Sequence, residues 1–152
     1  VQHGGVIVGL GGYAGHSHKY ARRDSSGYMF RLSTVQDLSA VTAACLLCKA
    51  SVYDEVNGLD EAFTVAYNDV DFCLRVRDKG YRILYTPYAQ LYHHESKSRG
   101  LDTKGPAKER FDKEKERMAQ RYGASLTKDP YYNPNLTLDR EDFSESDVLP
   151  TA

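Results

Sequence analysis

The stretch YNDVDFCLRVRDKGYRILYTPYAQLYHHESKSRG, residues 67–100, decides most of the fold that the sequence predicts. Asn68 is a good helix N-cap, and Asp71 stands three residues further along, where the acid of a capping box belongs. Apolar residues then recur at helical spacing until Gly80, which favours a helix end. The predicted helix buries a stripe of Val70, Cys73, Leu74 and the stem of Arg77, and it exposes Arg75, Asp78 and Lys79.

Two strands are predicted after this helix. The run YRILYTP forms the first strand and ends at Pro87, and AQLYHHE forms the second. Successive strand residues point to opposite faces, so one of His93 and His94 would face a cleft while the other packs or meets solvent. A helix followed by two strands indicates an α/β layered domain.

The residues upstream predict buried strands and a glycine-rich loop. GVIVGL, residues 5–10, predicts a short buried strand, and the residues from there to Tyr28 predict a long loop. No Lys-Ser/Thr pair follows the loop glycines, which argues against a P-loop. His16 and His18 could bind a metal or an anion, or they are ordinary polar loop residues.

The run LSAVTAACLLCKA, residues 38–50, predicts another buried strand and contains two of the three cysteines. An odd, low count makes no disulfide framework, which favours a reducing compartment. We interpret Cys45, Cys48 and Cys73 as buried thiols. A redox pair or half of a zinc site is the alternative, although no second C-x-x-C is present to complete a tetrahedral site.

Helices are predicted on both sides of the central stretch. Upstream, Ser51 caps a short helix that ends in a turn at Gly58. Downstream, KGPAKERFDKEKERMAQRYG predicts a charged, solvated helix, an interpretation we favour over phosphate binding. Residues 129–152 predict an irregular arm that is wrapped on the domain by its tyrosines. The apolar face of the downstream helix comprises Phe111, Met118 and Tyr122.

Length and charge narrow the class of protein. The chain has 152 residues, which suits one domain, and its formal net charge of −1 argues against a nucleic-acid partner. No apolar run reaches the roughly 20 residues of a membrane span. The sequence starts at Val1 in mid-pattern and without methionine, so we expect it to be part of a longer chain. We expect a cytoplasmic location, with the inner face of the membrane as the alternative.

Charged residues at the two ends of the central stretch form a candidate site. A carboxylate at Asp69 would meet the positive end of the helix dipole, stay ionised and accept a proton from a hydroxyl group. Alternatively, Asp69 and Asp71 only cap the helix. The imidazole of His93 suits Mn²⁺ or Mg²⁺ when carboxylates supply the other ligands. Donors for phosphate oxygens follow in a loop at Ser96, Lys97, Ser98 and Arg99.

Several blocks of the sequence resemble, in order, the acceptor-side C-terminal half of a family 2 glycosyltransferase. These blocks are GGVIVGLGGYAGHSHKY, VTAACLLCKASVYDEVNGLDEAF, residues 67–100 and DPYYNPNLTLDREDFS, and they cover nearly the whole chain. The resemblance implies part of a GT-A fold, the fold of nucleotide-diphospho-sugar transferases, with a mixed sheet and flanking helices. Residues 1–128 would belong to that domain, and 129–152 would form the arm.

The resemblance also implies roles for individual residues. Such enzymes carry an acidic pair at the start of this helix, and its second member, here Asp69, is the general base. Asn68 replaces the first acid and would contact substrate. The histidine that binds the divalent cation falls on His93, or on His94 if the register shifts by one. Ser96 and Arg99 would lie in the loop that closes over the diphosphate. Asp71 is a further candidate for contact with substrate, although we favour a structural role for it, as cap and hydrogen-bond acceptor.

The implied reaction is transfer of a sugar, with inversion, from a nucleotide-sugar donor to a glycan acceptor in polysaccharide synthesis. The nucleotide-binding half with its D-x-D motif is absent, since the only D-x-D is the helix-start DVD of residues 69–71. We therefore expect this half elsewhere in the same polypeptide, and a homodimer through an exposed sheet edge is a further expectation. The alternatives are a non-catalytic carbohydrate- or protein-binding module and an oligomerising fragment.

Overall fold

A computed structural model describes residues 1–94 and 104–147 as a small mixed α/β structure. Within these residues the strands and the helices are short, apart from one helix of 18 residues. None of the described helices is both long enough and apolar enough to cross a membrane. The elements are β1 (Val6–Val8), β2 (Ala14–His16), β3 (Gln36–Leu38), α1 (Ala50–Glu55), α2 (Asn68–Asp78), β4 (Ile83–Tyr85) and α3 (Gly105–Tyr122).

The strands form two antiparallel pairs that are joined at one point. β1 pairs with β2, and β3 pairs with β4 in a register that places Leu38 opposite Ile83. A single bridge between Val6 and Ala40 connects the two pairs, with a Val6 N–H to Ala40 carbonyl distance of 3.0 Å. The two small sheets therefore lie side by side.

The two faces of β1 are covered by different parts of the chain. Val6 and Val8 pack in the main core beside α2, whereas Ile7, which points to the other face, packs against the C-terminal arm. The arm is held by the buried carboxylate of Asp129, which accepts the Val8 N–H at 2.8 Å. The same carboxylate accepts the Ser39 hydroxyl at 2.5 Å. A residue 121 positions away thus satisfies the backbone of the first strand.

Helix α2 forms close to the predicted position and lies in the main core. It begins at Asn68, with Tyr67 in the capping position, so the predicted N-cap is one residue late. The apolar residues of the predicted stripe are buried, but Phe72 and Val76 are buried as well, and the helix is covered on more than one face. Arg75 was predicted on the solvent side, yet most of its side chain is buried.

The predicted loop after β1 contains a strand that the sequence did not reveal. Residues Ala14–His16 have low strand propensity, but they pair with β1 across a tight connection. Gly9 makes this connection possible, because it has a φ of +95° and an added Cβ would lie 2.2 Å from the Leu126 carbonyl oxygen. The tight connection of the hairpin therefore depends on the backbone geometry at Gly9.

The predicted buried strand of residues 38–50 is wrong after Ala40. The side chain of Thr42 accepts the Ala44 N–H and starts a short 3-10 turn over Ala43–Cys45. The chain then runs over the surface, where Leu47 is 99% exposed. The prediction of buried thiols is correct for Cys73 only, because Cys45 and Cys48 are exposed.

The remaining elements fit the predictions in part. Helix α1 begins at Ala50 with Lys49 as its cap, so Ser51 is not the cap, whereas Gly58 has the predicted left-handed conformation. Residues 89–94 form no strand, which corrects the second predicted strand as far as the structure describes it. Helix α3 is confirmed, and its Met118 is fully buried.

Candidate active site

The carboxylate of Asp69 lies half-buried in the first turn of α2 and is oriented by backbone groups on two sides. Its Oδ2 accepts the Ala43 N–H at 3.1 Å, and its Oδ1 accepts the Val70 N–H at 2.9 Å. A carboxylate offers about four lone-pair positions, so each oxygen keeps capacity for another donor. Asn68 supports the same turn by accepting the Asp69 N–H on its Oδ1 at 2.7 Å. The arrangement can hold a proton acceptor in a fixed direction.

The backbone segment that donates to Asp69 is also bound by His3, which was not among the predicted site residues. His3 Nε2 accepts the Thr42 N–H at 3.2 Å, and the His3 ring packs edge-on against His16 at 4.9 Å. Burial, and then the charge of His16, lowers the pKa of His3 to about 3. His3 is therefore neutral at physiological pH, as an acceptor from an N–H must be. No motif in the sequence around His3 predicts this contact.

A carboxylate from α3 holds the backbone that leads into α2. Glu114 Oε1 accepts the N–H groups of Thr64 and Val65 at 2.8 and 3.1 Å, and Oε2 accepts the Ala66 N–H at 2.8 Å. The Thr64 hydroxyl donates to Oε1 at 2.6 Å. Burial by itself would raise the pKa of Glu114, but these four hydrogen bonds lower it below its ordinary value. Glu114 is an ionised acceptor for three successive amides.

The ring of Tyr67 is packed between two elements. It stacks on Phe111 of α3 at 5.9 Å and lies 6.3 Å from Tyr13. The Lys115 ammonium lies 4.4 Å from the centre of the Tyr13 ring. Burial raises the pKa of Tyr67 to about 12, so the phenol stays protonated. These contacts hold Tyr67 in a left-handed conformation with φ of 62°.

Asp71 has a structural role. Its side chain is 0% exposed, and its Oδ2 accepts Arg75 Nε at 2.9 Å. Its Oδ1 accepts Arg121 at 2.6 Å and the Tyr122 hydroxyl at 2.7 Å. Arg121 also pairs with Asp60 at 2.7 Å. This network joins α2 to α3. Asp71 is a hydrogen-bond acceptor as predicted, but it binds side chains of α2 and α3 instead of capping the helix, and its contact with substrate stays a prediction.

The two histidines at the end of the central stretch are more exposed than Asp69. His93 and His94 are exposed on a segment without strand pairing, so the predicted strand end is wrong. Among the contacts of the part of the chain that the structure describes, no hydrogen bond or ion pair joins either imidazole to Asp69. Across residues 1–94 and 104–147, no three His, Cys, Asp or Glu side chains come together as a metal site. The predicted contacts Ser96 and Arg99 lie outside the described residues.

The loop histidines predicted as ligands or as polar residues are held by hydrogen bonds. His18 is buried, with Nε2 accepting the Tyr28 N–H at 3.0 Å and Nδ1 lying 3.1 Å from Ser17 Oγ. His16 Nδ1 lies 3.2 Å from both the side-chain nitrogen and the carbonyl oxygen of Gln2. These contacts favour ordinary packed histidines over metal ligands.

Comparisons with known proteins give relatives that are much longer than this chain. It is 49% identical over 144 residues to a protein named "Uncharacterized protein y4gI" of Sinorhizobium fredii, covering 94% of this chain and 16% of the relative. It is 36% identical over 143 residues to the O-antigen biosynthesis protein RfbC of Myxococcus xanthus, covering 93% and 11%. The chain thus spans about a sixth or less of the length of these two relatives.

A third similarity covers a smaller part of the chain. Over 62 residues it is 34% identical to an N-acetylglucosaminyl-diphospho-decaprenol L-rhamnosyltransferase of Mycobacterium tuberculosis, covering 41% of this chain and 20% of that enzyme. No protein-family model matches the chain. No solved structure matches it.

Proposed function

We propose that this chain is the acceptor-side part of an inverting glycosyltransferase of polysaccharide synthesis, with a partial GT-A fold. Two named relatives support this class, since one is an O-antigen biosynthesis protein and the other a rhamnosyltransferase. The donor would be a nucleoside-diphosphate sugar, and its binding half would lie elsewhere in the same polypeptide.

The observation that carries the proposal is the oriented, half-buried carboxylate of Asp69. As general base, it would take the proton of the acceptor hydroxyl on an oxygen that keeps a free lone pair. The acceptor oxygen then bonds to the anomeric carbon from one face. The bond from that carbon to the diphosphate oxygen breaks on the opposite face, and its electron pair leaves with the nucleoside diphosphate. No glycosyl-enzyme intermediate is needed.

We further propose that His93 supplies one ligand to Mn²⁺ or Mg²⁺, with His94 as the alternative. The described residues do not assemble a complete set of ligands, so the others would come from outside them. The role we assign to this chain therefore depends on its base and not on the cation. Ser96 and Arg99 remain proposed contacts of the diphosphate.

The test uses the full-length protein that contains this chain, incubated with a panel of nucleoside-diphosphate sugars that includes a rhamnosyl donor. Asp69→Asn removes the proton acceptor but keeps its shape, so we expect kcat to fall about 10²–10⁴-fold with donor binding unchanged. The matched control is Asp78→Asn, the same substitution at an exposed position in the last turn of α2, which should leave kcat unchanged. Release of the nucleoside diphosphate measures turnover.

Two results would contradict the proposal. Turnover by Asp69→Asn that equals the wild type would remove Asp69 from the base role. Sugar binding without turnover for every donor, in the wild-type protein, would favour the non-catalytic carbohydrate-binding module.

A further inference from the structure

Glu114 holds the segment of residues 64–66, which lies immediately before α2. The three N–H groups it accepts belong to consecutive residues, and the fourth donor is the Thr64 hydroxyl. Glu114 is only 3% exposed, although it belongs to a helix with few buried residues. A carboxylate that is almost completely buried is favourable only where such donors satisfy it.

The held segment leads directly into the start of α2. Ala66, the last residue bound by Glu114, precedes Tyr67, which has an unfavourable positive φ, and the helix begins at Asn68. Asp69 follows in the first turn. A shift in residues 64–66 would therefore move the helix start and the Asp69 carboxylate with it.

The attachment of α2 to α3 does not depend on Glu114. Asp71 is bound to Arg121 and Tyr122, which lie about two turns beyond Glu114 on α3. Met118 of α3 lies in the same core cluster as the buried face of α2. The specific contribution of Glu114 is thus the conformation of the entry into α2.

We propose that Glu114 is a positioning residue, which sets the orientation of the Asp69 carboxylate by fixing the backbone of residues 64–66. This inference rests on the proposed function, because it assumes that Asp69 is the general base. Glu114 itself would not touch the substrate. A displacement of about 1 Å in a catalytic group can reduce a rate about 10²-fold.

The test compares Glu114→Gln with Glu116→Gln in the full-length protein. The glutamine keeps the shape, but its NH₂ group cannot accept the N–H groups that one carboxylate oxygen accepts now. We expect kcat to fall about 10–100-fold, the KM for the donor to change less than about threefold, and amide exchange at residues 64–66 to become faster. Glu116 is exposed on the same helix, so its variant should match the wild type in all three measurements.

The outcomes separate this inference from the proposed function. Unchanged kcat in Glu114→Gln, while Asp69→Asn is inactive, would overturn the positioning role and leave the base in place. Turnover by Asp69→Asn at the wild-type rate would instead defeat the proposed function. Amide exchange at residues 64–66 does not depend on activity, so unchanged exchange in Glu114→Gln would overturn the inference under any catalytic result.

A milder variant covers the case in which Glu114→Gln does not fold. Thr64→Val removes only the hydroxyl donor and leaves the three amides bound to Glu114. We expect kcat to fall in the same direction by a factor of about ten or less. An unchanged kcat in this variant, together with unchanged exchange at residues 64–66, would count against the positioning role.

Discussion

The amino end of α2 and the segment of residues 88–94 carry the proposed base and the proposed metal ligands, but the chain holds them very differently. Around Asp69, the backbone is bound by Glu114, by His3 and by the Asp69 carboxylate itself. In residues 88–94, by contrast, Tyr92 is 81% exposed. Its hydroxyl accepts a hydrogen bond from Arg23 at 2.9 Å.

This difference shows how much of a catalytic site the chain can build from its own contacts. A base must be held within a fraction of an ångström of its productive position, and the contacts around Asp69 can do so. The histidines lack such support among the described residues. We infer that His93 or His94 would acquire its position only with the rest of the polypeptide, so the two regions should respond differently to substitution.

The largest loss of stability is expected when the hydrogen-bond network of the buried Asp71 in α2 is broken. Asp71→Ala leaves Arg75, Arg121 and Tyr122 without their shared acceptor in a buried site. We expect the local free energy of unfolding to fall by about 1.5–3 kcal/mol, because both arginines are partly exposed and keep other acceptors. Native-state hydrogen exchange of the α2 amides in the full-length protein measures this loss. Asp78→Ala at the exposed end of α2 is the control, and an equal loss in both variants would contradict the network's role.

Acid should weaken the first region selectively. The pKa of His3 is about 3 in the folded chain against 6.5 for a free histidine, so between these pH values the unfolded state binds a proton that the folded state does not. The free energy of unfolding should therefore decrease as pH falls from about 6.5 to 3, by at most on the order of 1 kcal/mol per pH unit.

The contribution of His3 can be isolated with His3→Gln, which removes the titrating group but keeps an acceptor for the Thr42 N–H. Exchange of the Thr42 and Ala43 amides, measured against pH, should depend less steeply on pH in this variant. His94→Gln serves as the control because His94 is exposed. Equal slopes for His3→Gln and the wild type would assign the acid sensitivity to other groups.

The smallest effect on stability is expected at the exposed histidines. His93→Ala should change the free energy of unfolding by less than about 0.5 kcal/mol, since no described contact is lost. If His93 is the cation ligand of the full-length enzyme, the Mn²⁺ concentration for half-maximal activity should rise at least about tenfold. His94→Ala is the matched comparison. A shift for His94→Ala alone would move the ligand by one residue, and no shift in either would remove both histidines.

Local patterns predicted the helices well and the sheets poorly. The stripe of α2 and the buried Met118 of α3 follow from 3.6-residue spacing, which a short window of sequence contains. The end of β3 depends on Thr42 and on the distant Asp69, and the pairing of β2 depends on the tight connection at Gly9. These strand ends and pairings are determined by contacts between residues that are distant in the sequence, and local sequence patterns do not contain such contacts.

The residues of the candidate site likewise differ in how well local sequence patterns predict them. The position of Asp69 in the first turn of a helix could be predicted, because a helix start favours an acid, whereas its role as general base stays a prediction. Glu114 could not, since it lies among other charges on a helix with mainly exposed positions, and only the folded chain shows that it meets residues 64–66. The predicted capping role of Asp71 failed because Arg121 and Tyr122 reach it from 50 residues away or more.

The contact between Asp129 and β1 has a consequence for synthesis of the protein. Within the described residues, the Val8 amide donates to Asp129, and Ile7 packs against Leu10 and against the buried side chains of the C-terminal arm. During translation, the contacts of β1 with the arm can therefore form only after more than a hundred further residues have left the ribosome.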